Sequence, residues 1–290
     1  TGANGHIGVA LIRRIHEIQP NDEVVAIVRS EEAALSLRKK IPDVDVRVVS
    51  YIDAKAIYRE GQGAEVIFHL VGIIKESTTN TFEIAHERTS EALVEAGMNA
   101  KHIVGLGILG SKEDSINSCF KSRAVSDAVL LGGPIPATII RVPMVLGPRD
   151  YASRALANNA ASAFAFCFRS SSLEQPIYRL DVVDAIISAA SLEPQNRVME
   201  LAGPESLTRK ELIQRAGLII DNEPRVLSFP VAFGFFLSWV LERISSNPPV
   251  TRAMLGVLDH DDNIDTRDAT DTLGLVLTPL DEMLENVLTI

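Results

Sequence analysis

The first eight residues, Thr1-Gly2-Ala3-Asn4-Gly5-His6-Ile7-Gly8, make a glycine-rich turn that runs straight into an amphipathic helical pattern. No other feature narrows the possible folds as much. Gly2 permits a tight turn, Gly5 lets a pyrophosphate approach the backbone, and Gly8 lets the following helix pack closely against the sheet. Ile7, Leu11, Ile15 and Ile18 recur on one helical face, with Arg13, Arg14 and Glu17 elsewhere. The amides and dipole at the start of such a helix favour a phosphate. Residues 24–28, Val-Val-Ala-Ile-Val, follow as an apolar, β-branched run expected to be a buried parallel strand. Thr1, Gly2, Asn4, Gly5, His6, Ile7 and Gly8 are therefore the candidate dinucleotide-binding residues. A turn of this kind ordinarily follows a buried strand, and no residue stands before Thr1. The sequence is thus expected to be a fragment whose first strand, central in the order 3-2-1-4-5-6, is missing.

The first half alternates strand-like and helical runs. Strands are expected at 24–28, 44–49, 66–71, 102–106 and 138–142, and helices at 31–40, 53–60, 81–100 and 117–131. The helix over 81–100 would bury Phe82, Ala85, Leu93 and Ala96. The fold class is α/β: a Rossmann-type, doubly wound parallel sheet with a smaller C-terminal lobe. The expected organisation is a nucleotide-binding domain over 1–150, with 177–203 packing back on it, and a mainly helical lobe over 151–290. In such sheets ligands lie beyond the carboxyl ends of the strands, which directs attention to the loops after Val28, Val71, Leu106 and Val142.

Composition excludes several function classes. Of 290 residues, 46% are hydrophobic and 23% charged, which suits a packed core rather than disorder. The net charge of −10 comes without a basic cluster, so nucleic acid is not an expected partner. Two cysteines, Cys119 and Cys167, make no disulfide framework, and no ligand spacing suggests a metal. No apolar run reaches the length of a membrane span. The nearest, 229–240, contains Phe233, Phe235, Phe236, Leu237 and Trp239 and is expected to be a helix buried in the second lobe.

These motifs resemble the short-chain dehydrogenase/reductase superfamily, in its extended and atypical, epimerase/dehydratase-like branches. Thr1–Gly8 matches the TGxxGxxG fingerprint, and His69-Leu70-Val71-Gly72 the end of the fourth family strand. Arg141-Val142-Pro143-Met144-Val145-Leu146-Gly147-Pro148 resembles the RxPxVxGP segment. Glu200-Leu201-Ala202-Gly203-Pro204 with Leu207-Thr208 resembles the lobe motif. Residues 72–76, 81–86 and 277–282 are most similar to bacterial relatives of the nucleotide-binding accessory subunit of respiratory complex I. The resemblance implies that Leu70, Val71, Gly72, Val142, Pro143 and Met144 adjoin a dinucleotide. It also implies a respiratory or membrane-associated complex as a possible partner, and a place in the cytoplasm or peripheral to an inner membrane or organelle interior.

Charge argues for NADP(H) over NAD(H). An acidic residue after the second family strand would bind a ribose 2′-hydroxyl, whereas this chain places Arg29 and Ser30 there. A guanidinium matches a 2′-phosphate in charge and geometry. Glu31 and Glu32 follow directly and weigh against it. The resemblance puts Ser50 or Tyr51 where an aspartate often meets the adenine.

The family's proton relay uses a Tyr-x-x-x-Lys pair, in which the ammonium lowers the phenol's pKa, together with a Ser. In this chain Cys119 stands at the Tyr position, Arg123 at the Lys position and Gly107 at the Ser position. Ordinary family chemistry is expected to be lost, with Ser111, Ser115 and Ser118 as substitute hydroxyls. Tyr51 and Lys55 share the spacing but follow a different strand. His69 and His86 are expected to be packing residues rather than catalytic ones. The expectation is an NADP(H)-binding protein with a structural, assembly or redox-sensing role. An oxidoreductase, epimerase or dehydratase with a rebuilt acid/base is the alternative.

Overall fold

In the computed structural model, residues 1–245 and 248–288 are described. The chain divides into two compact units, Thr1–Arg141 with Val182–Met199, and Val142–Asp181 with Glu200–Ile290. The division falls at 141/142 rather than 150/151, because the backbone leaves the first sheet at Val142 and then bonds with the segment around Ile177.

In chain order the elements are α1 (His6–Ile18), β1 (Val25–Val28), α2 (Glu31–Lys40), β2 (Asp45–Val48), α3 (Ala54–Gly61) and β3 (Val66–His69). A π-helical segment, Glu83–Arg88, leads into α4 (Thr89–Glu95), β4 (His102–Ile108), α5 (Ser118–Leu131) and β5 (Ala137–Val142). Then come β6 (Val145–Leu146), α6 (Tyr151–Ala161), β7 (Phe164–Phe168), β8 (Leu173–Glu174), β9 (Ile177–Tyr178), α7 (Arg179–Ser191) and β10 (Arg197–Glu200). The remainder is β11 (Leu207–Thr208), α8 (Arg209–Ile219), β12 (Arg225–Phe229), α9 (Val231–Ile244), α10 (Arg252–Leu258), α11 (Arg267–Leu273) and α12 (Leu280–Leu288).

The first unit is an α/β layer structure. A four-stranded sheet runs β10-β5-β4-β3, and β1 and β2 form a separate parallel ladder. Ile103, Val104, Ile139 and Ile140 are all buried, so both faces of the central strands are covered, as a sheet flanked by helices requires. One core gathers Ile57, Ile67, Leu93, Ile103, Leu130 and Ile139. A second, with Val9, Ile12, Val28, Leu37 and Val46, holds α1 and α2 on the β1–β2 ladder. Thr1 lies beside β3, its amine donating to Phe68 O at 2.7 Å and its carbonyl accepting from Leu70 N at 3.2 Å.

Two helical expectations for this unit need correction. The buried face of α1 is Leu11, Ile12 and Ile15, while Ile18 is exposed. The single helix expected over 81–100 is instead the π-helical segment followed by α4. Thr89 Oγ1 donates to the carbonyls of both Ala85 and His86, at 3.0 and 3.2 Å, and such back-bonding competes with the regular ladder.

The second unit packs α6, α8 and α12 around Leu156, Leu212, Ile213, Met283 and Leu284. Its strands are short: β7 pairs with β12 and β6 with β9 in parallel, and β8 with β11 antiparallel. Thr208 and Glu211 form a reciprocal capping box at the start of α8. Gly203 explains part of the 200–208 motif, since a Cβ there would stand 1.8 Å from Pro176 O. A buried ion pair joins Arg209 to Glu174 at 2.6 Å. The apolar run 229–240 departs from its expected burial. Within α9 only Gly234 and Ser238 are buried, whereas Phe233, Phe236, Leu237 and Trp239 are exposed. Small residues on one face admit close packing, and the bulky ones are left facing outward.

Candidate functional site

The glycine turn behaves as a backbone cradle. Gly2 has φ +77°, in the left-handed region, and a Cβ on it would lie 2.9 Å from Leu70 C. Gly5 N donates to Gly2 O at 3.0 Å and closes the turn. Gly5 is also the N-cap of α1 and brings no side chain to cap its first turn. Gly8 is needed by the turn itself: a Cβ there would meet Gly2 O at 2.6 Å and Ala3 O at 2.8 Å. The turn thus folds back over the first turn of its own helix, with Asn4, His6 and Ile7 between the glycines. A backbone-only helix start of this kind suits an anion.

Tyr51 holds the cradle in place, a role not read from the sequence. Its hydroxyl accepts from Gly2 N at 3.0 Å and donates to Ile27 O at 3.0 Å, tying the turn to β1. Burial raises its pKa, against the lowering effects of the Gly2 bond and of Arg29. The sequence marked Tyr51 only as a position near an adenine and as part of a Tyr-x-x-x-Lys spacing, neither of which points to these bonds. Arg29 is exposed just after β1. Ser30 caps α2 by accepting from Ala33 N at 3.2 Å. Glu31 and Glu32 form the first turn of α2, where carboxylates interact favourably with the helix dipole.

At the ends of β3 and β4 the structure brings together Gly72, Arg123, Cys119 and His86. The Arg123 guanidinium is buried against the strand ends, Nη1 donating to Val71 O at 3.0 Å and Leu106 O at 3.3 Å. It also fills the space beside Gly72, where a Cβ would fall 1.5 Å from Nη2. Burial lowers its pKa, with Asp127 opposing that shift. Asp127 in turn pairs with Arg141 at 2.8 Å. Gly107 leaves no room for a hydroxyl-bearing side chain in this arrangement, because a Cβ would lie 2.8 Å from Arg141 Cγ.

Cys119 is fully buried in the first turn of α5, with Sγ 3.7 Å from Ile73 O. Burial pushes its thiol up to about 11, although Arg123 acts in the other direction. A thiol so held is neither a thiolate nor a ready proton donor near neutral pH. His86 stacks on Phe82, and its Nε2 is 3.1 Å from both the amide and the carbonyl of Ile73. His69 meets Thr1 Oγ1 at 2.9 Å and Ser90 Oγ at 3.4 Å. Burial, reinforced by the charge of Arg123, lowers both histidines to about 3 and keeps them neutral. Ser111 is engaged with Ile108 O and Ser115 with Asn117 N, whereas Ser118 is exposed.

Leu70, Val71 and Gly72 thus adjoin the cradle and Arg123 within the first unit. Val142 ends β5, and with Pro143 and Met144 it begins the second unit, where Met144 O accepts from Ile177 N at 3.0 Å. Among the described residues no group of three His, Cys, Asp or Glu is placed to hold a metal, and no helix is long and apolar enough to cross a membrane. A cavity of about 190 Å³ belongs to the second unit, lined by Phe166, Phe168, Val231 and Leu255 among others, and is not part of the cradle.

No protein-family model matches the chain. A ceramide reductase of Caulobacter vibrioides is 27% identical over 236 residues, 79% of this chain and 72% of the relative. Among solved structures, the Citrobacter sp. triphenylmethane reductase complexed with NADP(H) matches with a TM-score of 0.77 at 20% identity, covering 98% of this chain and 97% of that one. The NADPH-dependent quinone oxidoreductase of Escherichia coli, complexed with NADPH, matches at 0.73 and 20%, covering 98% and 96%. A UDP-glucuronic acid 4-epimerase of Bacillus cereus, solved with NAD, matches at 0.75 and 15%, covering 99% and 96%. The fold is that of the NAD(P)-binding reductases and epimerases.

Proposed function

We propose that the first unit binds NADP(H), and that the positions equivalent to the family's Tyr, Lys and Ser supply no proton to a reaction there. The residues fit the coenzyme. Thr1, Gly2, Asn4, Gly5, His6, Ile7 and Gly8 would hold the pyrophosphate at the start of α1. Arg29 and Ser30 would hold the 2′-phosphate, a role that favours NADP(H) while leaving NAD(H) a weaker ligand. Leu70, Val71 and Gly72 would line the same site. A bound nicotinamide coenzyme supplies a hydride donor or acceptor.

The observation that carries the second half of the proposal is the engagement of Arg123. Its charge is spent on two backbone carbonyls and on the space beside Gly72, and its neighbour Cys119 is buried with a raised pKa. Loss of a positioned acid/base costs on the order of 10²–10⁴ in rate. The protein is therefore read as a holder of NADP(H) with a structural, assembly or redox-responsive role. The similarity of residues 72–76 and 81–86 to complex I accessory relatives supports a respiratory or membrane-associated complex as its partner.

One observation favours a second reading. The 27%-identical relative is a ceramide reductase, which supports reduction of a long-chain lipid carbonyl with a proton drawn from elsewhere, the exposed Ser118 being a nearby hydroxyl. Fluorescence titration with NADPH and NADH, followed by NADPH consumption with quinones, aldehydes, a keto-ceramide and sugar nucleotides, separates the two. The first reading expects NADPH binding without consumption. Sustained consumption that Cys119→Ala abolishes overturns the assignment of position 119, and sustained consumption that survives Cys119→Ala selects the reductase.

A further inference from the structure

The second unit carries an apolar face that its own fold does not cover. In the parallel pair β7–β12, Ala165, Cys167 and Val226 face the unit's core. The alternate residues Phe164, Phe166, Leu227 and Phe229 are exposed. A two-sided strand normally turns its polar residues outward, whereas the outward face of this pair is phenylalanine and leucine with Arg225 at one end. The face continues onto α9. Phe166 stacks on Phe229 at 6.0 Å, Phe229 meets Phe233 at 6.2 Å, and Phe236 stacks on Trp239 at 6.1 Å.

We propose that this face docks on the surface of a phospholipid bilayer. Three observations favour lipid over a protein partner. First, α9 is apolar on its outward side and has no charged residue from Val231 to Leu241. A helix apolar all round is either enclosed or in contact with lipid, and at fourteen residues α9 suits lying in the interface rather than spanning it. Second, Arg243 stands 4.4 Å over the Trp239 ring at the end of the same helix. A tryptophan beside a basic residue is the side-chain chemistry of the headgroup level.

Third, charge at the rim complements lipid phosphate. Arg169, Arg209, Arg215, Arg252 and Arg267 of this unit each hold a carboxylate. Among the described residues, Arg225, paired in register with Phe164, and Arg243 form no such ion pair. These two cations at the edge of the aromatic face are available to an external anion, as are Arg149, Arg154 and Lys210 of the same unit, in a chain whose net charge is −10. The proposal does not depend on the coenzyme reading, because all of these residues lie in the second unit.

The chain's single tryptophan, Trp239, reports directly. The test adds vesicles of phosphatidylcholine with about a third phosphatidylglycerol to the full chain, and reads tryptophan emission and co-sedimentation. The expected result is a blue shift with vesicle-bound protein. Phe233→Ser with Phe236→Ser should weaken binding at least tenfold, and Arg225→Glu with Arg243→Glu should weaken it and remove its salt dependence. Both variants should keep the wild-type circular dichroism and NADPH titration. No blue shift and no co-sedimentation overturns the proposal. So does a wild-type dimer that buries Trp239 and ignores vesicles, which would assign the face to a second copy of the chain. Binding unchanged in the phenylalanine variant likewise rules out this face.

Discussion

Gly72→Ala is the most discriminating perturbation of the first unit. The added Cβ would fall 1.5 Å from Arg123 Nη2 and 2.4 Å from Cζ. Arg123 is long enough to swing aside, but only by releasing Val71 O and Leu106 O. A hydrogen bond from a charged donor contributes about 1.5–3 kcal/mol, and removing one partner of a buried charge costs about 3–5 kcal/mol. Gly72→Ala should therefore destabilise the protein by about 3–5 kcal/mol. Arg123→Ala removes the obstacle and leaves two carbonyls short of a donor, a loss of about 1–3 kcal/mol. In that background Gly72→Ala should cost less than about 1 kcal/mol, giving a coupling of about 2–5 kcal/mol in a double-mutant cycle. Urea denaturation followed by circular dichroism, without coenzyme, measures all four corners. Equal costs for Gly72→Ala in both backgrounds would refute the view of Arg123 as a clamp on the strand ends.

Three further outcomes are expected. Arg29→Ala should weaken NADPH about 10- to 100-fold in coenzyme-fluorescence titration, the equivalent of a lost charge-assisted contact, and leave NADH nearly unchanged; equal losses for both would remove Arg29 from the 2′-phosphate. Tyr51→Phe strips partners from Gly2 N and Ile27 O, so thermal unfolding should show a loss of about 1–3 kcal/mol and NADPH binding should weaken with it. The pH dependence follows from His86, whose folded pKa of about 3 lies below its ordinary 6.5. Its contribution is present above pH 6.5 and is lost as pH falls towards 3, with a slope of up to about 1.4 kcal/mol per pH unit. His86→Gln should flatten the stability–pH curve between pH 6 and 4.5 relative to wild type. The comparison is made against wild type because burial raises the Glu174 carboxyl, and its proton uptake has the opposite sign.

The α/β architecture was legible because its signals are local. Glycine spacing, buried β-branched runs and helical periodicity each act within a few residues, and β1, β3, β4 and β5 fall where those runs lie. Around α5 the sequence named positions but not their contacts. That Cys119 and Arg123 stand one helical turn apart follows from spacing. That Arg123 reaches across to Val71 and Leu106 depends on strand ends brought together by tertiary packing. Tyr51 was hidden for the same reason, since its partners Gly2 and Ile27 are distant in sequence. The π-helical segment was missed because Thr89 reads as an ordinary helical residue until its hydroxyl turns back onto two carbonyls. The outward face of α9 was misread because hydrophobicity alone does not tell which side of an apolar helix the core will cover; here the small Gly234 and Ser238 are buried and the bulky residues face outward.

The central claim is that the glycine cradle and Arg29 hold NADP(H). Amide hydrogen exchange across the chain, with and without saturating NADPH, tests it most directly. The account predicts new protection at residues 4–8, 29–30 and 70–72, a weaker effect with NADH, and no change in α9. Unaltered exchange at residues 4–8, or protection confined to the second unit, would contradict it.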